Sequence, residues 1–293
     1  MKIGVHALPH HEIPIGEMKN LVLWLFGRGH EIYLSQPFAR CFEKSGKARP
    51  EFPVFGISDD IKFLDVFLSL GGDGTILDSI LFAVPNDLPV LGINFGRLGF
   101  LANSHAREYE TAIQKVELGQ YSIQERSLLS VQIPDEIFTE SFFAFALNEI
   151  SLTKRDSASM ITVKTILNGD FLNDYWGDGI IVSSATGSTG YSLSCGGPIL
   201  WPESKGMVLT PISPHNLSMR PLVLPENVKL ELTPLGRQQK VMLSMDSRSR
   251  TFPVKQKIVI TSAPQKAKFI DLSAISFAQT LREKLFWGKD FRN

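Results

Sequence analysis

The sequence predicts an α/β N-terminal domain with a parallel sheet, followed by a C-terminal, mostly antiparallel all-β domain with a sandwich-like build. Three observations predict it. Up to about residue 125, apolar runs of strand length alternate with stretches of helical periodicity. Glycines punctuate the passages between them, most densely at Gly71-Gly72-Asp73-Gly74-Thr75. Beyond that point short β-rich runs follow one another, separated by turn residues such as Asn168-Gly169 and Pro225-Glu226-Asn227.

Lys2 to Ala7 reads as a short buried strand. After Pro14, Met18, Leu21, Val22 and Leu25 recur at helical spacing until Gly27-Arg28-Gly29 stops them. His30 to Leu34 and Lys62 to Leu70 restart strands, the second feeding the glycine loop, and a helix is expected from Thr75. Pro85 and Pro89 bracket its exit, and Val90 to Asn94 is again strand-like. This alternation implies right-handed crossovers, with ligands outside the carboxyl ends of the strands. Ser104 to Leu118 reads as one more helix, with Ser104 as cap and Gly119 as stop. The β-rich runs are Leu128 to Ile133, Phe142 to Thr153, Met160 to Leu167, Gly179 to Ser183, Met207 to Thr210, Val228 to Thr233, Gln239 to Met245 and Lys257 to Thr261. A last helix, Phe277 to Phe286, carries Leu281, Leu285 and Phe286 on one side and is expected to return to the first domain. The expected division is therefore 1–125 joined by about 275–293, and 126–274.

The 293 residues suit two domains, and 43% hydrophobic with 20% charged residues is the composition of a globular protein. Thirty basic residues balance thirty acidic ones, so net charge gives no reason to expect nucleic acid or an anionic membrane as partner. Cys41 and Cys195 fit neither a disulfide framework nor a zinc spacing, and the His10-His11 pair has no further ligand at metal spacing. The cysteine usage points to a reducing cytoplasm as the expected compartment, and no run is long enough for a signal peptide or a spanning helix.

A strand ending in glycines before a helix offers free backbone N–H groups and a helix dipole to an anion. Gly71, Gly72, Gly74 and Thr75 are thus candidates for binding phosphate. Asp73 is the odd member. A carboxylate among phosphate-binding amides is repelled unless a cation intervenes or the carboxylate has chemical work; alternatively it caps the helix. The loop Asn94 to Leu101 follows at the next strand end, where Phe100 is either a ring for a flat ligand or a core residue. The densest chemical signal is Gly177 to Pro198, a buried strand between two glycine-and-hydroxyl loops; its hydroxyls and amides suit a polyol and phosphates, and Tyr191 offers a ring and a hydroxyl. Read alone, such a cluster is more often an ordinary loop.

Taken together these motifs resemble the NAD kinase family over essentially the whole chain. The resemblance rests on Gly71 to Thr75, Gly92 to Leu101, Asn148-Glu149, 177 to 198, Pro214 to Pro221 and Asp246-Ser247. It implies transfer of the ATP γ-phosphoryl group to the 2′-hydroxyl of the adenosine ribose of NAD. It further implies a divalent cation, Mg²⁺, as cofactor, NAD and ATP as partners, and a homodimer or homotetramer. Asp73 would be the general base. Asp73, Gly74, Phe100, Asn148, Glu149, Trp176, Asp178, Thr186, Thr189, Gly190, Tyr191, Ser192, Leu193, Ser194 and Arg248 would contact NAD, with Arg97 and His215 as further candidates. Trp176 stands where many relatives carry a basic residue, and Arg248 where glutamine is common, which puts those two contacts in doubt. Lipid kinases and phosphofructokinases share the glycine-aspartate loop, but not the 177–198 block. A sensor that binds NAD without turnover is the alternative of another class.

Overall fold

A computed structural model of the protein describes residues 1–8, 15–43, 51–96, 99–102, 104–133, 145–155, 159–272 and 276–286. The chain forms two compact units, Met1–Glu125 with Ala267–Asn293, and Arg126–Lys266.

The first unit contains β1 (Lys2–His6), α1 (Ile15–Gly27), β2 (Glu31–Ser35), α2 (Gln36–Glu43), β3 (Val54–Phe55), β4 (Val66–Gly71), α3 (Asp73–Ala83), β5 (Pro89–Asn94), β6 (Ser104–His105) and α4 (Tyr109–Glu117). Its strands pair in parallel in the order β5-β4-β1-β2-β3, with β6 on β5. The chain moves from β1 outward to β2 and β3, then crosses to β4 and β5 on the other side of β1. The direction of winding therefore reverses between β1 and β4, the kind of switch point beside whose carboxyl strand ends ligands collect in such sheets. Strand alternation sorts the side chains by face. Ile3, Val5, Leu68 and Leu70 bury against α1 and α4 through Met18, Leu21, Leu25, Ile113 and Val116. His6, Phe67 and Ser69 point to the other face, where Phe82 of α3 meets the rings of His6 and Phe67.

The chain continues through β7 (Ser122–Gln132), β8 (Phe145–Ala146), β9 (Glu149–Thr153), β10 (Ile161–Leu167), β11 (Asp170–Gly177), β12 (Gly179–Ser184), α5 (Tyr191–Ser194), β13 (Gly206–Ile212), β14 (Leu222–Pro225), β15 (Leu230–Leu235), β16 (Lys240–Met245), β17 (Arg248–Pro253) and β18 (Ile258–Asp271). One antiparallel sheet runs β14-β13-β12-β9-β16-β17, and β11-β10-β15-β18 forms the other layer. A single core joins them: Ile150, Leu152, Ile180 and Val182 on one side, Val163, Leu230, Leu232 and Ile260 on the other. Within the first unit, Lys268 and Phe269 of β18 pair with Pro89 and Val90 of β5. α6 (Phe277–Leu285) follows, capped by Ser276, whose Oγ accepts from Gln279 N at 3.2 Å; Phe277 lies 6.5 Å, centroid to centroid, from Phe100.

Several elements differ from the sequence reading. α3 begins at Asp73 rather than Thr75, because Gly72 is the N-cap and its carbonyl accepts from Thr75 N and Ile76 N. Ser104 caps nothing; it pairs with Ile93 in β6, a 3₁₀ turn over Ala106–Glu108 follows, and α4 starts only at Tyr109. Gly119 does stop α4, with φ +67°. The short α2 is not announced by its eight residues, and β11, β14 and β17 were not read as strands at all. Those three strands are sheet edges, where solvent on an open side removes the apolar alternation that marks a strand.

Candidate active site

In the first unit the glycine loop is built around Asp73. Its Oδ2 accepts from Phe100 N at 2.7 Å, and its Oδ1 accepts from Leu101 N at 3.1 Å and Ala102 N at 3.4 Å. The carboxylate therefore holds three successive amides of the following loop and does not cap its own helix. Two ionised oxygens offer about four lone-pair positions, so about one remains on Oδ2 for another donor. Two glycines make this arrangement possible. A Cβ on Gly99 would lie 1.7 Å from Asp73 Oδ1, and one on Gly71 would lie 2.1 Å from Thr75 Oγ1. At Gly72 and Gly74 an added Cβ meets nothing within 4 Å, so their backbone faces open space at the start of an 11-residue helix. Beside the loop, where Phe95 N donates to Gly71 O at 3.3 Å, lies a cleft of about 600 Å³. Glu17, Asn94, Phe95, His105 and Arg107 are among the residues that line it.

In the second unit Asn148 and Glu149 sit at the entry to β9, and a second aspartate holds them. Asp246, in the turn between β16 and β17 with φ +50° and a side chain 1% exposed, accepts from Leu147 N and Asn148 N, each at 2.8 Å, and from Glu149 N at 3.1 Å. Its own N–H donates to Glu149 O at 3.0 Å. Arg248 approaches its carboxylate at 3.9 Å, donates to Phe145 O and lies over the Phe145 ring. Burial raises the Asp246 carboxyl, opposed by the three amides and by Arg248. Burial, and then the Asp246 charge, push Glu149 up to about 7 against the Tyr191 amide.

The block after β12 folds onto this turn. Ser184 N donates to Asn148 O at 2.8 Å, and a Cβ on Gly187 would lie 2.0 Å from that same oxygen. Gly190 is less constrained: its Cβ position is 3.0 Å from Glu149 Oε2, the end of a side chain that could give by a few tenths of an ångström. Three buried polar atoms here have no hydrogen-bond partner: Glu149 Oε2, Ser183 Oγ and Thr186 Oγ1. Ser183 is the register partner of Glu149 across β12 and β9.

The two halves of this chain match the ATP-NAD kinase N-terminal domain over residues 19–121 and the ATP-NAD kinase C-terminal domain over residues 147–272. The chain belongs to the NAD kinase family. Curated NAD kinases from Christiangramia forsetii and Bacteroides fragilis are 39% and 40% identical, each alignment covering all of both chains. Among solved structures, an NAD kinase from Archaeoglobus fulgidus in complex with ATP is 26% identical with a TM-score of 0.70, covering 98% of each chain. The yeast NADH kinase complexed with NADH has a TM-score of 0.83 over 100% of this chain and 89% of its own, and at 24% identity it shows the shared fold.

Within the NAD kinase framework the expected site residues fall into three groups. Asp73 is hydrogen-bonded to the backbone of Phe100, and Gly71, Gly72, Gly74 and Thr75 surround it at the head of α3. Asn148, Glu149, Gly190 and Arg248 gather about the Asp246 turn, and Thr186 opens the 3₁₀ turn that follows β12. The side chains of others are engaged locally. Asp178 pairs with Lys154 at 2.7 Å, Ser192 is buried with its hydroxyl 2.8 Å from Thr210 Oγ1, and Thr189 Oγ1 donates to Thr186 O. The rings of Trp176 and His215 meet at a tilt of 33°, centroids 4.1 Å apart, and His215 N donates to Trp176 O. Tyr191 and Ser194 are exposed on α5, with Leu193 partly so. Arg97, His10 and His11 lie outside the described residues. Sequence reasoning assigned no role to Asp246, Lys154, Gly99, Gly187 or Ser183. Gly99, Ser183 and Gly187 carried a signal only as members of the loops at 92–101 and 177–198, Asp246 only as part of the Asp246-Ser247 motif, and Lys154 carried none.

Proposed function

We propose that this chain is an ATP-dependent NAD kinase in which Asp73 is the general base and the Asn148-Glu149 turn holds the acceptor nucleotide. The observation that carries the reading is the set of three buried, unpartnered polar atoms, Glu149 Oε2, Ser183 Oγ and Thr186 Oγ1, at a turn tightened by Gly187 and Gly190. Each such atom costs about 1–3 kcal/mol while unpaired, a cost recovered when a ligand rich in hydroxyls and ring nitrogens supplies the partners. A dinucleotide is such a ligand.

For transfer, the free lone pair on Asp73 Oδ2 takes the proton of the ribose 2′-hydroxyl as that oxygen forms its bond to the γ-phosphorus. The bond from phosphorus to the β,γ-bridging oxygen breaks, and ADP leaves with the electron pair. A positioned base of this kind contributes about 10²- to 10⁴-fold. The backbone of Gly72 and Gly74, where an added Cβ meets nothing within 4 Å, offers its amides to the phosphates, and the cleft beside Phe95 gives the donor's nucleoside room. Among the described residues no group of three His, Cys, Asp or Glu side chains is poised to hold a metal. A magnesium ion carried by the triphosphate would need at most one or two carboxylates and would neutralise charge on the transferred group. Among the described residues no helix is long and apolar enough to cross a membrane. The reading includes a cytoplasmic homodimer or homotetramer, an assembly state that sedimentation measures.

The test is NADP formation from NAD, ATP and Mg²⁺. Asp73→Asn keeps one acceptor oxygen for the loop amides but no base, so kcat is expected to fall about 10²- to 10⁴-fold with NAD binding largely kept. NAD binding without turnover in the unmodified protein would favour a sensor instead.

A further inference from the structure

Asp246 is nearly inaccessible, so it cannot touch a nucleotide, yet its two oxygens accept from every backbone amide between Leu147 and Glu149. The return bond from Asp246 N to Glu149 O closes the turn on itself. The first unit uses the same device: Asp73 accepts from Phe100, Leu101 and Ala102. The two differ in one respect that decides their roles. Asp73 is only partly buried and keeps a lone pair for a ligand, whereas Asp246 is sealed behind the turn it holds.

We propose that Asp246 is the positioning residue of the acceptor site: it fixes Asn148 and Glu149 through their backbone and orders them before the nucleotide arrives. The proposal rests on the reading of Asn148-Glu149 as acceptor contacts. A turn held by three charge-assisted bonds loses little freedom on binding, so the ordering cost is met in folding rather than in KM. Its register is set from both sides, because Met245 pairs with Ile150 and Ser184 N is bonded to Asn148 O. Asp246 is also the charge that most affects Glu149 after burial itself. The other polar or titratable groups that face this pair are Arg248 on β17, which faces Asp246; the Tyr191 phenol and amide on α5, with Asp178 and Cys195 acting on that phenol; and the Ser183 hydroxyl on β12.

Asp246→Asn tests this, because Asn can keep an oxygen for Asn148 N and Glu149 N while its NH₂ opposes the Leu147 N–H. KM for NAD is expected to rise about ten-fold, the equivalent of one lost or orphaned hydrogen bond, with kcat and KM for ATP within about three-fold. The pH midpoint of NAD binding, near that of Glu149, should move down because a neighbouring negative charge is gone. Glu149→Gln separates the two hypotheses. If it leaves NAD affinity and its pH dependence unchanged, the reading of the acceptor site fails; if it abolishes the pH dependence while Asp246→Asn shifts neither KM nor midpoint, the positioning role fails. Should Asp246→Asn not fold, hydrogen exchange in the unmodified protein decides: amides 147–149 should be protected at least ten-fold over those of exposed turns, and exchange as fast as those turns overturns the proposal.

Discussion

Gly99→Ala offers the sharpest test of how Asp73 is held. The added methyl would lie 1.7 Å from Asp73 Oδ1 and 2.3 Å from its Cγ. Contacts below 3.0 Å are essentially never seen, so loop and carboxylate must separate by about 1.3 Å. The bonds at 2.7, 3.1 and 3.4 Å from Phe100, Leu101 and Ala102 cannot survive that displacement together. A misplacement of about 1 Å at a reacting group costs on the order of 10²-fold, so kcat/KM should fall by about that factor. The fold should tolerate the change, because Gly99 to Leu101 are only partly buried and the loop lies outside the unit's apolar core. The assay pairs steady-state NADP formation with thermal unfolding. Activity within three-fold of the parent would show that the Asp73 clamp is not what positions the base, and equal losses in activity and melting temperature would show that the methyl damages the fold instead.

Three further outcomes are expected. At Gly72 and Gly74 an added Cβ meets nothing within 4 Å, so Gly74→Ala should leave denaturant stability within about 0.5 kcal/mol while raising KM for ATP; an unchanged KM would remove the phosphate from this loop. At Gly187 the opposing atoms are the Asn148 backbone, at 2.0 Å from its oxygen and 2.4 Å from its carbonyl carbon, so Gly187→Ala should destabilise by about 1–3 kcal/mol in urea titration, and an unchanged midpoint would contradict the packing described. His6 is buried with a pKa lowered to about 4 from 6.5, so the fold favours its neutral form. Its contribution is fully present above pH 6.5 and is lost as pH falls toward 4, by about 3 kcal/mol. The parent should therefore lose that much more stability than His6→Gln over the same interval, and parallel pH curves would refute the assignment.

The parallel half of the fold was legible because its strands are buried on both faces and read as apolar runs closed by glycine. Central strands of the β half were legible for the same reason: β12 and β13 are buried along their whole length. The edge strands were not, since β11 exposes Asp170, Phe171, Asp174 and Trp176. The start of α4 was misplaced because Ser104, a good cap in isolation, is taken by the parallel ladder with Ile93. Here tertiary pairing outweighed a local preference of about 1 kcal/mol.

The site was legible where backbone must come close to a ligand or to itself, because only glycine permits that and glycine is visible in a sequence. It was not legible where a side chain acts through another segment's backbone. Asp246 lies in a Met-Asp-Ser stretch that reads as any hairpin turn, and its φ of +50° suits the tolerance of aspartate for that region. Nothing local shows that amides 97 to 99 positions earlier in the chain converge on it. Asp73, by contrast, stood out because a charge among glycines is locally incongruous. Yet the reason it is tolerated is also distant, in amides 27 to 29 residues later. Both carboxylates are explained by the segments they hold, and the lone pair left on Asp73 Oδ2 is the one feature that the proposed role of base would use and that Asp246 lacks.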